Sequence, residues 1–248
     1  MEILKAGILV IGDEILSGRT HDTNSNFIAK KLNDSGISLE EIKVIKDQKT
    51  VIIKNIKSFK NKYNYVFTTG GIGPTHDDIT AESISEALNL RYCFHDEAYR
   101  ILENYYPKGE FNIGRKKMAK MPENAELIVN PMTVAPGFII ENIYVLPGVP
   151  EIMQKMFINV LQKIKTGTPK KTLTINTNLY ESTISVDLEK IQKKYTECNI
   201  GSYPFFNYIK KTGGVNIVVS SWTLDDLSVI SKEIENMISL LGGKSLIV

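Results

Sequence analysis

A short apolar run, Tyr65-Val66-Phe67-Thr68-Thr69, ends at Gly70-Gly71-Ile72-Gly73-Pro74-Thr75-His76-Asp77-Asp78, and a helical stretch begins near Ile79. This strand–turn–helix order constrains the fold more than any other feature. It repeats an order already present upstream. Residues 6–12 form an apolar run ending in glycine, as expected of a strand buried on both faces. Phe27, Ile28 and Leu32 then recur at helical spacing within residues 24–34, with Asp22 or Thr23 placed to cap the start and Gly36 the end. Residues 37–46 alternate as a strand does. Ile52, Ile53, Ile56 and Phe59 lie on one face of a helix over residues 49–63. The βαβαβα order predicts an α/β fold: a mostly parallel sheet covered by helices on both faces.

Further along, residues 95–120 read as helical, broken at Tyr106-Pro107-Lys108-Gly109. Residues 127–129, 137–140 and 143–146 read as short strands, and Pro147-Gly148-Val149-Pro150 as a sharp turn into a helix over 151–164. The stretch 165–171 has linker composition. Beyond it, a strand (172–178), a helix (183–195), two strands (200–206 and 214–222) and a helix (224–241) predict a small α+β domain of βαββα order. Residues 245–248 are available as one more strand. The expected domains are 1–167 and 168–248. The aromatic cluster Tyr203-Pro204-Phe205-Phe206 is expected to pack the small domain rather than to bind a cofactor.

The 248 residues carry 30 basic and 28 acidic side chains, a net charge of +2, which does not point to a nucleic-acid partner. No apolar run approaches the roughly 20 residues of a membrane span, and no signal peptide is recognisable at the N-terminus. Two cysteines, Cys93 and Cys198, give neither a disulfide framework nor a zinc site. A cytoplasmic location is expected.

In a parallel sheet, ligands bind beyond the carboxyl ends of the strands. Gly12-Asp13-Glu14, Asp47 and the Gly70–Asp78 stretch all follow strand ends, so they should converge on one edge. Amides of a glycine turn beside a helix N-terminus make an anion site. Carboxylates beside such a site repel an anion unless a cation lies between them. The local reading is a phosphate site with a divalent cation, for which oxygen ligands suit Mg²⁺ and related hard ions. Asp13, Asp77 and Asp78 are the candidate metal ligands. Asp13 and Asp47 also read as plain turn residues, and Asp78 or Thr80 as a helix cap. Asp22 and Asn24 either cap a helix or bond to a sugar or pterin edge. His76 either touches a phosphate or lies in solvent. No GxSxG, HExxH or P-loop lysine is present, which disfavours serine-nucleophile and P-loop chemistry.

Gly12-Asp13-Glu14-Ile15-Leu16-Ser17-Gly18-Arg19, Asp22-Thr23-Asn24 and Thr69-Gly70-Gly71-Ile72-Gly73-Pro74-Thr75-His76-Asp77-Asp78-Ile79-Thr80 resemble the MoaB/MogA molybdopterin-binding family, in particular its CinA branch. Pro122-Glu123-Asn124-Ala125-Glu126-Leu127, Ala135-Pro136-Gly137-Phe138, Pro147-Gly148-Val149-Pro150-Glu151 and Gly201-Ser202-Tyr203-Pro204 are closer still to the N-terminal module of eukaryotic-type FAD synthetases and its stand-alone bacterial relatives. Thr133-Val134-Ala135 stands where CinA proteins usually have Gly-Thr-Ala, which moves the chain towards the FAD synthetase module. The amidase domain of full-length CinA and the nucleotidyl-transferase domain of FAD synthetases have no counterpart in these residues.

The resemblance implies a three-layer α/β/α sandwich and self-association into a homo-oligomer. It implies Asp47 and Asp78 as the functional acids. The turn over Thr69, Gly70, Gly71, Gly73 and Thr75 would hold a pterin or nucleotide phosphate. It also implies metal-dependent hydrolysis of a dinucleotide pyrophosphate such as ADP-ribose or FAD, with Mg²⁺, Mn²⁺ or Co²⁺ and K⁺ as a further cation. The alternatives are molybdopterin binding or adenylyl transfer, and a binding module without catalysis.

Overall fold

A computed structural model describes residues 3–208 and 212–248. The chain divides into two compact units, Met1–Gly167 and Thr168–Val248.

The first unit runs β1 (Leu4–Ile11), α1 (Asp13–Leu16), α2 (Asn24–Asp34), β2 (Ile37–Ile45), α3 (Lys49–Lys62), β3 (Tyr65–Thr69) and α4 (Thr80–Ala87). It continues with β4 (Tyr92–Phe94), α5 (Asp96–Tyr105), α6 (Ile113–Lys117), β5 (Lys120–Pro122), β6 (Glu126–Ile128), β7 (Gly137–Ile140), β8 (Ile143–Leu146) and α7 (Pro150–Leu161). The main sheet has the order β2-β1-β3-β8-β7-β6. The pairs β1–β2, β1–β3 and β3–β8 are parallel, whereas β7 and β6 return antiparallel at one edge.

Alternate residues of the central strands feed two cores, one on each face of the sheet. Leu9, Ile11 and Val66 pack with Ile52, Ile56 and Phe59 of α3, Ile84 of α4 and Leu102 of α5. Ala6, Ile8, Val10 and Phe67 pack with Ile28 and Leu32 of α2 and Met153, Met156 and Phe157 of α7. The Phe67 and Phe157 rings meet edge to face at 5.2 Å. Both faces are therefore covered and apolar, which makes the unit a three-layer α/β/α sandwich with a mostly parallel sheet.

One segment departs from the sequence reading. The helix expected to reach residue 120 ends at Lys117, and Lys120–Pro122 pairs antiparallel with Tyr92–Phe94. Strands of three residues are too short to show a period.

The second unit comprises β9 (Lys171–Thr177), α8 (Glu181–Lys194), β10 (Asn199–Asn207), β11 (Thr212–Ser221), α9 (Ser228–Leu240) and β12 (Ser245–Ile247). Its antiparallel sheet has the order β10-β11-β9-β12. Ile175, Val215, Ile217 and Val219 meet Ile184, Leu188, Ile230 and Ile234 of the two helices. The aromatic cluster does not join this core, contrary to the expectation from sequence. Tyr203 is 59% exposed, Phe205 39% and Phe206 49%. β10 is an edge strand, and the aliphatic side chains of β9, β11 and the helices already fill the interior.

Candidate active site

The parallel strands β1, β2, β3 and β8 end side by side, and the segments that leave them are tied together. Gly12 N–H donates to Ile45 O at 3.2 Å, and Gly70 N–H to Leu146 O at 3.1 Å. The Asp13 amide donates to Asp47 Oδ2 at 2.8 Å. Gly70 and Gly71 follow one another with φ of +98° and +69°, a region costly for residues with a Cβ. Space demands glycine as well. A Cβ on Gly70 would lie 2.1 Å from Ile11 O, and one on Gly71 2.1 Å from Thr80 Oγ1. Thr80 closes the base of the turn, its N–H on Gly71 O and its hydroxyl on Gly70 O, 3.0 and 3.1 Å away.

The result is a cleft of about 510 Å³. One part of its wall is the glycine turn with Glu14, Asp47, Asp77 and Asp78, and the other is apolar, with Met118, Ala135, Pro136, Val149 and Ile152. Among the described residues, no lysine or arginine side chain lines it. Asp47 is half-buried, and burial pushes its carboxyl above the usual range. The Asp13 N–H bond opposes that rise, while the nearby Glu14, Asp13 and Asp77 carboxylates add to it.

Asp78 does not cap α4, which has no side-chain cap. Its Oδ2 instead accepts from Thr75 N–H at 2.8 Å and lies 2.6 Å from Thr75 Oγ1. The same hydroxyl lies 2.5 Å from Asp77 Oδ1. A hydroxyl has one proton to donate, so three oxygens converge there around a single hydrogen bond. The Thr75 hydroxyl is the main cause of a lowered Asp77 pKa, helped by its own backbone and by His76 and Lys117. His76 lies in solvent, its side chain 99% exposed.

Of the residues nominated from sequence, Gly70, Gly71, Gly73, Asp47, Asp77 and Asp78 share the cleft. Asp13, Thr69, Thr75, Asp22 and Asn24 are not in its lining. Thr69 is buried at the end of β3. Asp13 contributes its amide to Asp47. The Asp22 carboxylate is occupied as a cap, accepting from the Asn24 and Ser25 amides and the Ser25 hydroxyl. Asn24 Nδ2 donates to Gly148 O at 2.7 Å, which ties α2 to a turn that does line the cleft.

Glu14, from the Gly12-Asp13-Glu14 cluster expected to converge here, also lines the cleft, and so do Met118, Asn130 and Thr133, which sequence reasoning passed over. The Asn130 amide group holds the loop before β7, accepting from Met132 and Thr133 N–H and donating to Thr133 Oγ1 and Ala135 O. Its signal was the Asn-Pro step at Asn130-Pro131, a common turn initiator.

Residues 7–166 match the sequence family described as "Probable molybdopterin binding domain", and the chain belongs to it. Residues 170–240 match "FAD synthase, middle domain". A protein of Archaeoglobus fulgidus is 33% identical over 202 residues, covering 82% of this chain and 86% of its own. A "Putative competence-damage inducible protein" of Clostridium botulinum is 33% identical over 210 residues, 81% of this chain and 51% of its own. A "Probable FAD synthase" of Caenorhabditis elegans is 32% identical over 225 residues, 80% of this chain and 43% of its own. The chain thus spans about half the length of the last two relatives. The crystal structure of CinA from Thermoplasma acidophilum, a protein of unknown function, superposes with a TM-score of 0.61 at 30% identity. It covers 64% of this chain and 96% of that one. Among the described residues, no helix is long and apolar enough to cross a membrane.

Proposed function

We propose that the chain holds a nucleotide or pterin phosphate at the Gly70–Gly73 turn and hydrolyses a dinucleotide pyrophosphate of the ADP-ribose or FAD type with a divalent cation. One observation carries this reading: Glu14, Asp47, Asp77 and Asp78 share the cleft with the phosphate-type turn, and no basic side chain among the described residues lines it. A phosphate entering alone would meet only like charge.

The donor set is all oxygen, which fits Mg²⁺, Mn²⁺ or Co²⁺ in a site of hard ligands. Among the described residues, no three acidic, histidine or cysteine side chains form a ready-made cage. An ion such as Mg²⁺ keeps waters and takes further ligands from substrate phosphates, so one or two protein carboxylates are enough to bind it. Asp78 and Asp77 would hold it, with their oxygens already gathered at Thr75. Bound there, it would supply charge to the phosphoryl oxygens and acidify a water. The Gly71 and Gly73 amides would orient the phosphate, whereas the Gly70 N–H, expected from sequence to join them, is already given to Leu146 O. Asp47, with its raised pKa, is the group suited to take the proton of the attacking water.

A second reading, molybdopterin binding or adenylyl transfer on the same turn, is favoured by the family match over residues 7–166. One screen separates the readings. The purified chain is incubated with ADP-ribose, FAD or NAD and Mg²⁺, Mn²⁺ or Co²⁺, with and without K⁺, and AMP is measured. Cation-dependent AMP release supports hydrolysis. A co-purifying pterin without AMP release supports the second reading. Neither result would leave a binding module and refute the hydrolase.

A further inference from the structure

The turn that presents Asp78 is thinly attached. Pro74, Thr75, His76 and Asp77 are exposed, and glycines precede them at positions 71 and 73. Within the turn, Asp78 is held through Thr75 alone. The tip meets the rest of the unit through α6. A Cβ on Gly114 would come within 3.0 Å of Pro74 O, so the helix lies directly against the turn. From the same helix, Lys117 Nζ donates to the Thr75 carbonyl. α6 is itself well anchored. Asn112 Oδ1 accepts from Arg115 N–H at 3.0 Å, and the Arg115 guanidinium bonds to Glu110 and lies 4.1 Å from the Tyr106 ring centre.

We infer that Lys117 is a positioning residue for Asp78, acting through Thr75. The ammonium fixes the Thr75 carbonyl. The N–H and hydroxyl of that same residue fix the Asp78 carboxylate on the wall of the cleft. Lys117 also adjoins Gly73 and Asp78, with which it lines a small void, and it is not among the residues that line the cleft. It therefore places positive charge beside the acidic edge without entering the cleft. The catalytic part of this inference rests on the proposed hydrolase reading, but the structural part does not.

The test compares Lys117→Met and Lys117→Arg with the wild-type chain. Amide hydrogen exchange of segment 73–79 is read by mass spectrometry, and AMP release from ADP-ribose with Mg²⁺ gives kcat and KM. In Lys117→Met, exchange should quicken by about tenfold or more. A misplacement of this kind should lower kcat by roughly 10- to 100-fold with little change in KM. Lys117→Arg, which keeps a cationic donor, should restore both. Unchanged exchange in Lys117→Met overturns the inference. So does faster exchange with an unchanged kcat, which would make Lys117 a purely structural anchor. If the wild type releases no AMP, the hydrolase reading fails separately, and the exchange comparison still decides whether Lys117 orders the turn.

Discussion

Asp78→Asn separates a structural role for this carboxylate from a chemical one. Asparagine keeps the shape and one carbonyl oxygen, so it can still accept from the Thr75 N–H and hydroxyl that Asp78 Oδ2 now receives at 2.8 and 2.6 Å. The charge-assisted character of those bonds is lost, a cost of about 1 kcal/mol at a half-buried site. For a protein of this size that lowers Tm by about 2–4 °C. No helix cap is lost, because α4 has none from this side chain. The cost to catalysis is different in scale. An ion held by Asp78 contributes several kcal/mol to stabilising phosphoryl charge. At about 1.4 kcal/mol per decade, its loss lowers kcat/KM by roughly 10²- to 10³-fold. The assay is cation-dependent AMP release from ADP-ribose and FAD, run beside a thermal melt. Turnover within about threefold of wild type, with the small Tm loss present, would refute the assignment.

Asp47→Asn should raise Tm at neutral pH while abolishing hydrolysis. Burial holds the folded carboxyl above its unfolded pKa, so the stability of the neutral form is complete below the unfolded value and lost as pH rises through the folded one. Melts from pH 7 down to about 4 should show the gap between variant and wild type closing. Gly71→Ala should destabilise by roughly 2 kcal/mol or more in urea denaturation, from positive φ and the 2.1 Å approach to Thr80 Oγ1. Asp22→Ala removes a cap with three donors and should cost about 1 kcal/mol. Its AMP release should stay close to wild type, since Asp22 does not line the cleft.

The strand ends that carry Asp47, Gly70 and Asp78 were legible because each local signal agreed with the next. A buried apolar run stops at glycine, a helix follows, and parallel crossovers bring such ends to one edge. The cap at Asp22 was legible for the same local reason. Asn130 and Thr133 were not, because they sit in the loop of the β6–β7 hairpin, whose strands of three and four residues are too short to show a period. The bond from Lys117 to Thr75 spans 42 residues and depends on where a five-residue helix settles. Exposure of Tyr203 and Phe205 followed from strand order, since composition does not tell an edge strand from a central one.

The pairing of β3 with β8 joins segments roughly 75 residues apart in the chain. The β1–β2–β3 portion forms by short crossovers, and it contains the glycine turn and Asp47. The part of the opposite wall formed by Gly148 and Val149 arrives only when that long loop closes. Closure of this kind is slow relative to local pairing. During synthesis, the acids and the glycine turn therefore emerge well before the cleft is complete. A chain ending before Ile143 would retain those residues without the Pro147, Gly148, Val149 and Ile152 part of the wall.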